Sequence, residues 1–227
     1  MQTDCSDWCS RQHGCGSGLC YSDPVNTLLE FLEERPLEVA AVLTGVLCVW
    51  FNVRQNIWTW PVAIISSLLF AVVFFEDRLY TTMLLQGLFV GISIYGWRSW
   101  LTGGPDGGTL LVTRLRPVVG IILLTLTVAG TAGFALLLKY YVTESPYPLT
   151  EALTTTLSVI ASWMAARKIL ESWLVWIVTD AIYVGLFFAT ELYFTLLLYV
   201  LYLGLATTGY IAWRTSYLSR TILREAT

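Results

Sequence analysis

The chain has 227 residues, of which 13% are charged and 56% are hydrophobic, and its formal net charge is −3. A soluble domain carries about 25% charged residues, so this chain has too few of them to cover a water-exposed surface. The high hydrophobic content excludes an intrinsically disordered chain, and the presence of only two lysines, Lys139 and Lys168, excludes a basic face for nucleic acid. The composition therefore predicts a protein of the lipid bilayer.

The N-terminal tail, up to residue 36, is expected to lie outside the cytoplasm and is rich in cysteine: Cys5, Cys9, Cys15 and Cys20, with His13 among them. It lacks the apolar stretch of a signal peptide. The cysteines could pair as disulfides, whose connectivity the sequence does not reveal. They could instead bind zinc together with His13, although the CxxC spacing of common zinc sites is missing. An inert extension is the third interpretation. Cys48 lies in the first apolar segment and is most simply a small apolar residue there.

Seven apolar segments follow, each long enough to cross about 30 Å of hydrocarbon as a helix. They lie at 37–53, 57–75, 79–99, 118–141, 149–166, 170–190 and 192–214. Polar or glycine-rich residues separate most of them. The fold class predicted is an all-α integral membrane protein with seven transmembrane helices.

The distribution of basic residues predicts the orientation of these helices. Nine of the 13 Lys and Arg residues fall on the side that holds the C-terminus, and four fall on the other side. Because cytoplasmic loops carry the excess of Lys and Arg, the C-terminus is expected in the cytoplasm and the N-terminus outside.

An internal duplication organises the seven segments. Shifting the sequence by 113 residues against itself aligns positions 46–100 with 159–213 without a gap and gives 17 identities in 55 positions. The pattern predicts two parallel three-helix repeats joined by a linker helix, a 3+1+3 arrangement with a substrate site on the pseudo-twofold axis. The alternative is a duplication that only builds a stable bundle. The predicted regions are a tail that leads into the first helix, a first repeat, a loop with the linker helix, a second repeat and a cytoplasmic tail, at 1–36, 37–100, 101–148, 149–215 and 216–227.

Polar groups at membrane depth are costly and therefore indicate function. Asp180 lies near the middle of the sixth segment, and Trp173, Trp176 and Asp180 follow the i, i+3, i+7 spacing that places side chains on one helix face. Two indoles and a carboxylate suit a flat, cationic aromatic ligand through stacking, cation–π attraction and charge compensation. The alternative is that Trp173 belongs to an interfacial aromatic belt and that Asp180 bonds a neighbouring helix.

Further polar and small residues extend this hypothesis. Gln86 lies in the middle of the third segment, where its amide could bond sugar hydroxyls or a carboxamide, and Asn52 could either bind the ligand or cap its helix. The candidate substrate-binding residues are Trp173, Trp176, Asp180, Gln86, Asn52, Tyr183 and Ser67. In the fifth segment a polar stripe either lines a pathway or bonds back to its own helix, at Thr155, Ser158 and Ser162.

Two expectations concern residues outside the candidate site. Three tryptophans at the ends of their segments are expected to form an interfacial belt: Trp97, Trp100 and Trp213. Four glycines are expected to allow close helix approach: Gly91, Gly96, Gly204 and Gly209.

The sequence argues against four rival classes. The phosphate-binding GxxxxGK[ST] loop of an ATP-driven pump does not occur, and the last segment has no lysine for a retinal Schiff base. An intramembrane thiol oxidoreductase is the main enzyme alternative because of the cysteine-rich tail, but it would need a CxxC motif. A seven-helix receptor would leave the duplication unexplained. A transporter rather than an enzyme is predicted, with no cofactor and no metal.

Five groups of residues carry a resemblance to a known family: Asn56-Ile57-Trp58-Thr59-Trp60-Pro61, Leu79-Tyr80, Leu84-Leu85-Gln86, Ile94-Tyr95-Gly96-Trp97 with Trp100, and Glu171-Ser172-Trp173-Leu174-Val175-Trp176 with Asp180. Over about residues 37–215 the chain resembles the PnuC vitamin transporter family. The last group is similar to the family's WxxWxxx(N/D) motif on its sixth helix. One departure is Ala63, where the family often has glycine.

The resemblance implies a bacterial inner-membrane carrier for nicotinamide riboside with a fold similar to full-length SWEET sugar transporters. It implies facilitated diffusion by uniport, with trapping of the substrate by a cytoplasmic riboside kinase. Trp173, Trp176 and Asp180 match the family's binding motif, and Gln86 matches its third-helix glutamine. Relatives carry thiamine or riboflavin on the same scaffold, and Asp180 suits the cationic rings of nicotinamide riboside and thiamine better than neutral riboflavin. The partners expected are thus a small vitamin, the lipid bilayer and a kinase, and a homo-oligomer is compatible with the lipid-facing surfaces.

Overall fold

The structure is a computed structural model that describes residues 35–104, 107–141 and 147–225. Within these residues the chain forms seven helices: α1 Pro36–Val53, α2 Thr59–Glu76, α3 Tyr80–Thr102, α4 Pro117–Tyr141, α5 Pro148–Ala166, α6 Ser172–Ala189 and α7 Tyr193–Glu225. The prediction of an all-α protein with seven helices is confirmed. The cysteine-rich tail, with both its disulfide and its zinc interpretation, lies outside the described residues.

Five of the seven helices are apolar and long enough to cross a bilayer by themselves: α1, α2, α4, α6 and α7. Helices α3 and α5 are less apolar because they carry polar residues along their length, among them Gln86 and Ser93 in α3 and Thr155 and Ser158 in α5. A helix with polar residues at membrane depth is stable when those residues face the inside of the bundle. The two helices are therefore expected to face the interior.

The boundaries of the helices recur at the spacing of the duplication. Helix α2 covers residues 59–76 and α6 covers 172–189, so both ends differ by 113. Helices α1 and α5 end at residues 53 and 166, and α3 and α7 begin at residues 80 and 193. Helix α7 then continues to Glu225, so most of the segment assigned to a cytoplasmic tail from residue 216 is helical.

The turns that end α1, α2, α5 and α6 share one geometry. Each contains a non-glycine residue at positive φ, namely Gln55 (54°), Arg78 (61°), Lys168 (50°) and Glu191 (58°). After α1, the N–H of Gln55 donates to the carbonyl of Asn52 and the N–H of Asn56 donates to that of Phe51. This is the Schellman motif, which satisfies the last carbonyls of a helix. The turns at Arg78, Lys168 and Glu191 repeat the same pair of bonds.

The helices pack against one another mostly in chain order. Helix α2 packs against α3, α6 packs against α7, and α5 contacts α3, α4 and α6. Hydrogen bonds join α1 to α2, since Ser66 Oγ donates to the carbonyl of Ala41 over 3.0 Å and Thr59 Oγ1 donates to the carbonyl of Cys48 over 3.0 Å. Helices α1–α3 are named the first unit and α5–α7 the second unit.

Two glycines allow a tryptophan to lie directly on a neighbouring helix. The Trp60 ring covers Gly96 in the first unit and the Trp173 ring covers Gly209 in the second, and a Cβ at either glycine would come closer than 3.0 Å to the ring. The expectation of close helix approach is thus confirmed for these two. It is wrong for Gly91 and Gly204, which have nothing within 4 Å of the corresponding point.

A cluster of four tryptophans connects the two units. Trp60 packs edge-on against Trp100 with ring centres 5.3 Å apart, and Trp173 packs edge-on against Trp213 at 5.4 Å. Trp100 and Trp213 meet at 5.9 Å and are only 3% and 0% exposed. The belt expectation for Trp100 and Trp213 is therefore wrong, because both rings are buried between the units. Trp97, with 39% exposure, remains compatible with a belt.

The loop between α3 and α4 is fastened to the α5–α6 turn. The N–H of Thr113 donates to the carbonyl of Lys168 and the N–H of Leu170 donates to that of Thr113, which forms an isolated parallel bridge. Glu171 accepts from Arg114 Nε at 2.6 Å and from the N–H of Leu115 at 2.8 Å. These contacts place the α3–α4 loop and the α5–α6 turn at one end of the bundle. The C-terminal end of α1 lies there too, because the Trp213 indole donates to the carbonyl of Asn52. We call this the turn end.

Candidate ligand-binding site

A cavity of about 520 Å³ lies between the two units. Its wall contains residues of α1, α2 and α3 from the first unit and of α5, α6 and α7 from the second. None of the described residues that line it belongs to α4. At one end the cavity reaches Glu151, in the first turn of α5. At the other end it reaches Asn52 and Ala165, which lie near the C-terminal ends of α1 and α5. As expected, Gln86 and Ser93 of α3 and Thr155 and Ser158 of α5 face the cavity.

All seven residues predicted to bind substrate line this one cavity: Asn52, Ser67, Gln86, Trp173, Trp176, Asp180 and Tyr183. They come from α1, α2, α3 and α6, which are far apart in the sequence. The fold therefore gathers the predicted residues around one space large enough for a small molecule.

Asp180 is the most unusual group in the wall. It is only 5% exposed, and its carboxylate has no hydrogen-bond or ion-pair partner among the described residues. This disfavours the alternative that Asp180 bonds a neighbouring helix. The lining also contains the acid Glu151, whereas none of the described lining residues is Lys, Arg or His. A buried carboxylate without a counter-ion favours a positively charged ligand.

The two tryptophans of α6 differ in what their rings contact. Trp173 is 2% exposed and packs on Gly209 and Trp213, so little of its ring is open to the cavity. Trp176, one turn further along α6, lines the cavity and is only half-buried. Of the two rings, Trp176 is therefore the better placed to stack on a ligand.

Three buried polar atoms at the turn end of the cavity have no hydrogen-bond partner within the described protein. They are Asn52 Oδ1, Trp60 Nε1 and Trp173 Nε1, one acceptor and two donors, and all three residues line the cavity. An unpaired buried polar group costs about 1 to 3 kcal/mol.

Several cavity residues were not singled out from the sequence as binding candidates. Tyr199 of α7 packs with Tyr183 at 4.5 Å between ring centres and with Tyr202 at 5.9 Å, and all three line the cavity. The 113-residue shift contains a signal for Tyr199, because it aligns with the candidate residue Gln86. The same shift aligns Trp60 with Trp173.

The polar stripe of α5 fits both of its interpretations. Thr155, Ser158 and Ser162 all line the cavity. Ser158 also donates from Oγ to the carbonyl of Thr154 over 2.8 Å, within its own helix. Back-bonding satisfies the hydroxyl proton and leaves the oxygen able to accept a bond from a ligand or water.

Just outside the cavity, at the turn end, Lys168 is buried with 6% exposure. Its amine donates to the carbonyl of Leu110 over 3.0 Å and lies 4.2 Å from the centre of the Trp100 ring. Burial, assisted by the nearby Arg220, lowers the pKa of Lys168 from 10.5 to about 8. This lysine therefore links the α5–α6 turn, the α3–α4 loop and the tryptophan cluster.

Comparison with known proteins gives relatives over most of the chain. The chain is 26% identical over 201 residues to the nicotinamide riboside transporter PnuC of Escherichia coli strain K12, covering 78% of this chain and 84% of that one. It is 29% identical over 189 residues to the riboflavin/roseoflavin transporter RibM of Streptomyces davaonensis, covering 81% and 88%. The crystal structure of the vitamin B3 transporter PnuC is similar with a TM-score of 0.65 and 25% identity, covering 84% of this chain and 85% of that one.

The family model described as nicotinamide mononucleotide transporter matches residues 35–215, which include the whole cavity wall. The predictions of a PnuC-type protein and of a multi-pass membrane transporter rather than an enzyme are confirmed. The chain belongs to the PnuC-type transporter family whose model is described as nicotinamide mononucleotide transporter.

Proposed function

We propose that this protein carries nicotinamide riboside across the bacterial inner membrane by facilitated diffusion. The observation that carries the proposal is the unpaired, buried carboxylate of Asp180 in a cavity that has no basic residue among its described lining residues. Nicotinamide riboside has a flat cationic ring and a hydroxyl-rich sugar. The ring would stack on Trp176 with its charge compensated by Asp180, and the sugar hydroxyls would satisfy Asn52 and Gln86.

The cavity argues for the riboside rather than its phosphorylated form. Arg and Lys side chains are the usual charged partners of phosphate in proteins. The described lining offers neither Arg nor Lys, and its two acidic residues, Asp180 and Glu151, would repel a phosphate. We therefore expect nicotinamide mononucleotide to be excluded, although the family is named for it.

A second candidate substrate is riboflavin, which the similarity to RibM favours. Its neutral ring would gain stacking on Trp176 but no charge compensation from Asp180. Thiamine shares the cationic ring and would gain both. We rank nicotinamide riboside first because the relatives from Escherichia coli and Neisseria mucosa are named for it.

Transport is proposed to occur by rocking of the two units about the cavity, so that it opens alternately at each end. The turn end, which gathers Arg54, Arg98, Arg114 and Arg167 with Lys168, is assigned to the cytoplasm by the positive-inside rule, with the N-terminus outside. A cytoplasmic riboside kinase would then trap the substrate as its phosphate. The apolar residues exposed along α4, a helix that contributes no described residue to the cavity wall, leave a surface for lipid or for a second copy of the chain.

Electrogenic uptake tests this proposal directly. Because the riboside carries a positive charge, uniport should move net charge, so an inside-negative potassium diffusion potential should accelerate uptake of labelled riboside into proteoliposomes. Collapsing a proton or sodium gradient at fixed potential should leave the rate unchanged. Uptake that depends on either ion gradient would contradict uniport. Uptake of riboflavin without uptake of the riboside would reassign the substrate.

A further inference from the structure

At the end of the cavity nearest the turns, two hydrogen bonds run between the units in opposite directions. The indole N–H of Trp100, in the first unit, donates to the carbonyl of Ala165 in the second over 3.1 Å. The indole N–H of Trp213, in the second unit, donates to the carbonyl of Asn52 in the first over 3.0 Å. The 113-residue shift relates Trp100 to Trp213 and Asn52 to Ala165. The two hydrogen bonds are therefore equivalent, and each unit provides one donor and one acceptor.

The two acceptors occupy equivalent places in their helices. Asn52 is the second-last residue of α1 and Ala165 is the second-last residue of α5. Each carbonyl already accepts one bond from its own turn, from the N–H of Gln55 or of Lys168. A carbonyl oxygen has two lone pairs, so each tryptophan takes the second one, where water would otherwise be the donor.

The same four residues mark where the cavity stops. Asn52 and Ala165 line it, together with Trp60 and Trp173. Trp100 and Trp213 lie behind those two rings, contact each other and are almost fully buried. Trp100 and Trp213 therefore form the next layer of side chains beyond Trp60 and Trp173 at this end of the cavity.

We propose that Trp100 and Trp213 form a gate at the turn end, which is closed by their bonds to Ala165 and Asn52 and which opens when the two units separate there. The gate rests on the proposed transport function. When the units separate, both bonds break together, and entering water replaces the indoles on the two carbonyls. The open state therefore leaves neither helix end unsatisfied, while the closed state excludes water from the cavity floor.

Cys48 provides a reporter within the cavity wall. Its thiol lies beside Thr59, with the sulfur 3.4 Å from the Thr59 carbonyl, and it lines the cavity. Replacing the four tail cysteines by serine leaves Cys48 as the single thiol of the full chain. In vesicles of one orientation, a small membrane-impermeant cationic methanethiosulfonate added on the turn-end side then measures how often that end is open.

The test compares Trp100→Phe, Trp213→Phe and the double variant, in which an aromatic ring is kept and each N–H donor is removed. Trp97→Phe is the matched control, because Trp97 lies one turn earlier on α3 and is 39% exposed. We expect each single variant to raise the Cys48 labelling rate from the turn-end side several-fold, the double variant to raise it further, and the control to leave it unchanged. Each single variant tests a separate bond, so either one alone carries the test if the other does not fold.

Unchanged labelling in both single variants and in the double variant would overturn the gate, as would an equal increase in Trp97→Phe. The readout needs no substrate, so it can fail or succeed separately from the proposed function. A protein that takes up no nicotinamide riboside but shows the labelling pattern would retain the gate and lose the substrate assignment.

Discussion

The two units agree at the turn end and differ in the cavity. At the turn end Trp60, Gly96 and Trp100 of the first unit make the contacts that Trp173, Gly209 and Trp213 make in the second. In the cavity the first unit has Ser67 and Ala63 where the second has Asp180 and Trp176. The equivalent tryptophan and glycine contacts hold both units together in the same way. Two equivalent cavity walls, in contrast, would suit only a symmetric ligand. The two units therefore share their packing contacts at the turn end and differ in the side chains that would face a ligand.

The carboxylate on one wall should contribute most to binding. Replacing Asp180 by Asn keeps the shape and removes the negative charge, so the affinity for nicotinamide riboside should fall by about 3 kcal/mol, the upper range for a hydrogen bond or contact with a charged group. Titration calorimetry on the purified variant measures this loss.

Two controls sharpen that prediction. Glu76→Gln also removes a negative charge, but Glu76 is exposed and does not line the cavity, so this variant should alter affinity by less than about 0.5 kcal/mol. The uncharged dihydro form of the riboside should bind wild type and Asp180→Asn alike. Equal losses for the charged and uncharged ligands would remove the counter-ion role.

The indole on the same wall should have the next largest effect on binding. Trp176→Ala should weaken riboside binding by about 1 to 3 kcal/mol, the range for base stacking on protein aromatics. Trp58→Ala is the matched control, because Trp58 is 59% exposed and does not line the cavity. Binding that survives Trp176→Ala unchanged would assign this ring to packing.

The packing of tryptophan on glycine can be disrupted in the same way in both units. Gly96→Ala and Gly209→Ala each force a Cβ into a stiff indole, so each should destabilise the protein by about 1 to 3 kcal/mol, and to a similar extent. Gly91→Ala and Gly204→Ala, at positions with open space, should be neutral or slightly stabilising. Thermal unfolding in detergent measures all four, and a large effect at Gly204 equal to that at Gly209 would contradict this role of the glycines.

Lys168 provides a smaller, pH-dependent difference between the units, since Gln55 occupies its equivalent position. Its pKa of about 8 lies below its ordinary 10.5, so between these values the unfolded chain binds a proton that the folded protein does not. The contribution of Lys168 to the free energy of unfolding therefore rises as the pH increases between these two pKa values.

Lys168→Met keeps the length of the side chain and removes the titration. The difference in melting temperature between wild type and Lys168→Met should shift in favour of wild type by a few degrees from pH 7 to pH 10, with Arg220 unchanged in both. Parallel pH profiles for the two proteins would show that Lys168 is not the titrating group.

Much of this organisation is predictable from sequence because it depends on local rules. Apolar length predicts the helices, and the 113-residue shift predicts that their ends recur, as they do at 53 and 166. Asp180 is identifiable because a carboxylate at membrane depth is rare.

The remainder depends on tertiary contacts that no local pattern contains. Trp100 and Trp213 have the sequence position of interfacial belt residues, and only the packing of the two units shows that they are buried and bond Ala165 and Asn52. The ring of Trp173 likewise packs directly on Gly209, which is 36 residues away in the chain. Helix periodicity places Trp173 and Trp176 on one face, but it does not reveal which of the two rings is left open to a ligand.

The measurement that tests the central claim most directly is titration of the wild-type protein with nicotinamide riboside and, in parallel, with nicotinamide mononucleotide. The two ligands share the cationic ring and differ in the phosphate, which a cavity with Asp180 and Glu151 and without a described basic residue should reject. We predict saturable binding of the riboside and at least about a hundredfold weaker binding of the mononucleotide, a difference of about 2.7 kcal/mol. Mononucleotide binding as tight as that of the riboside would contradict the claim.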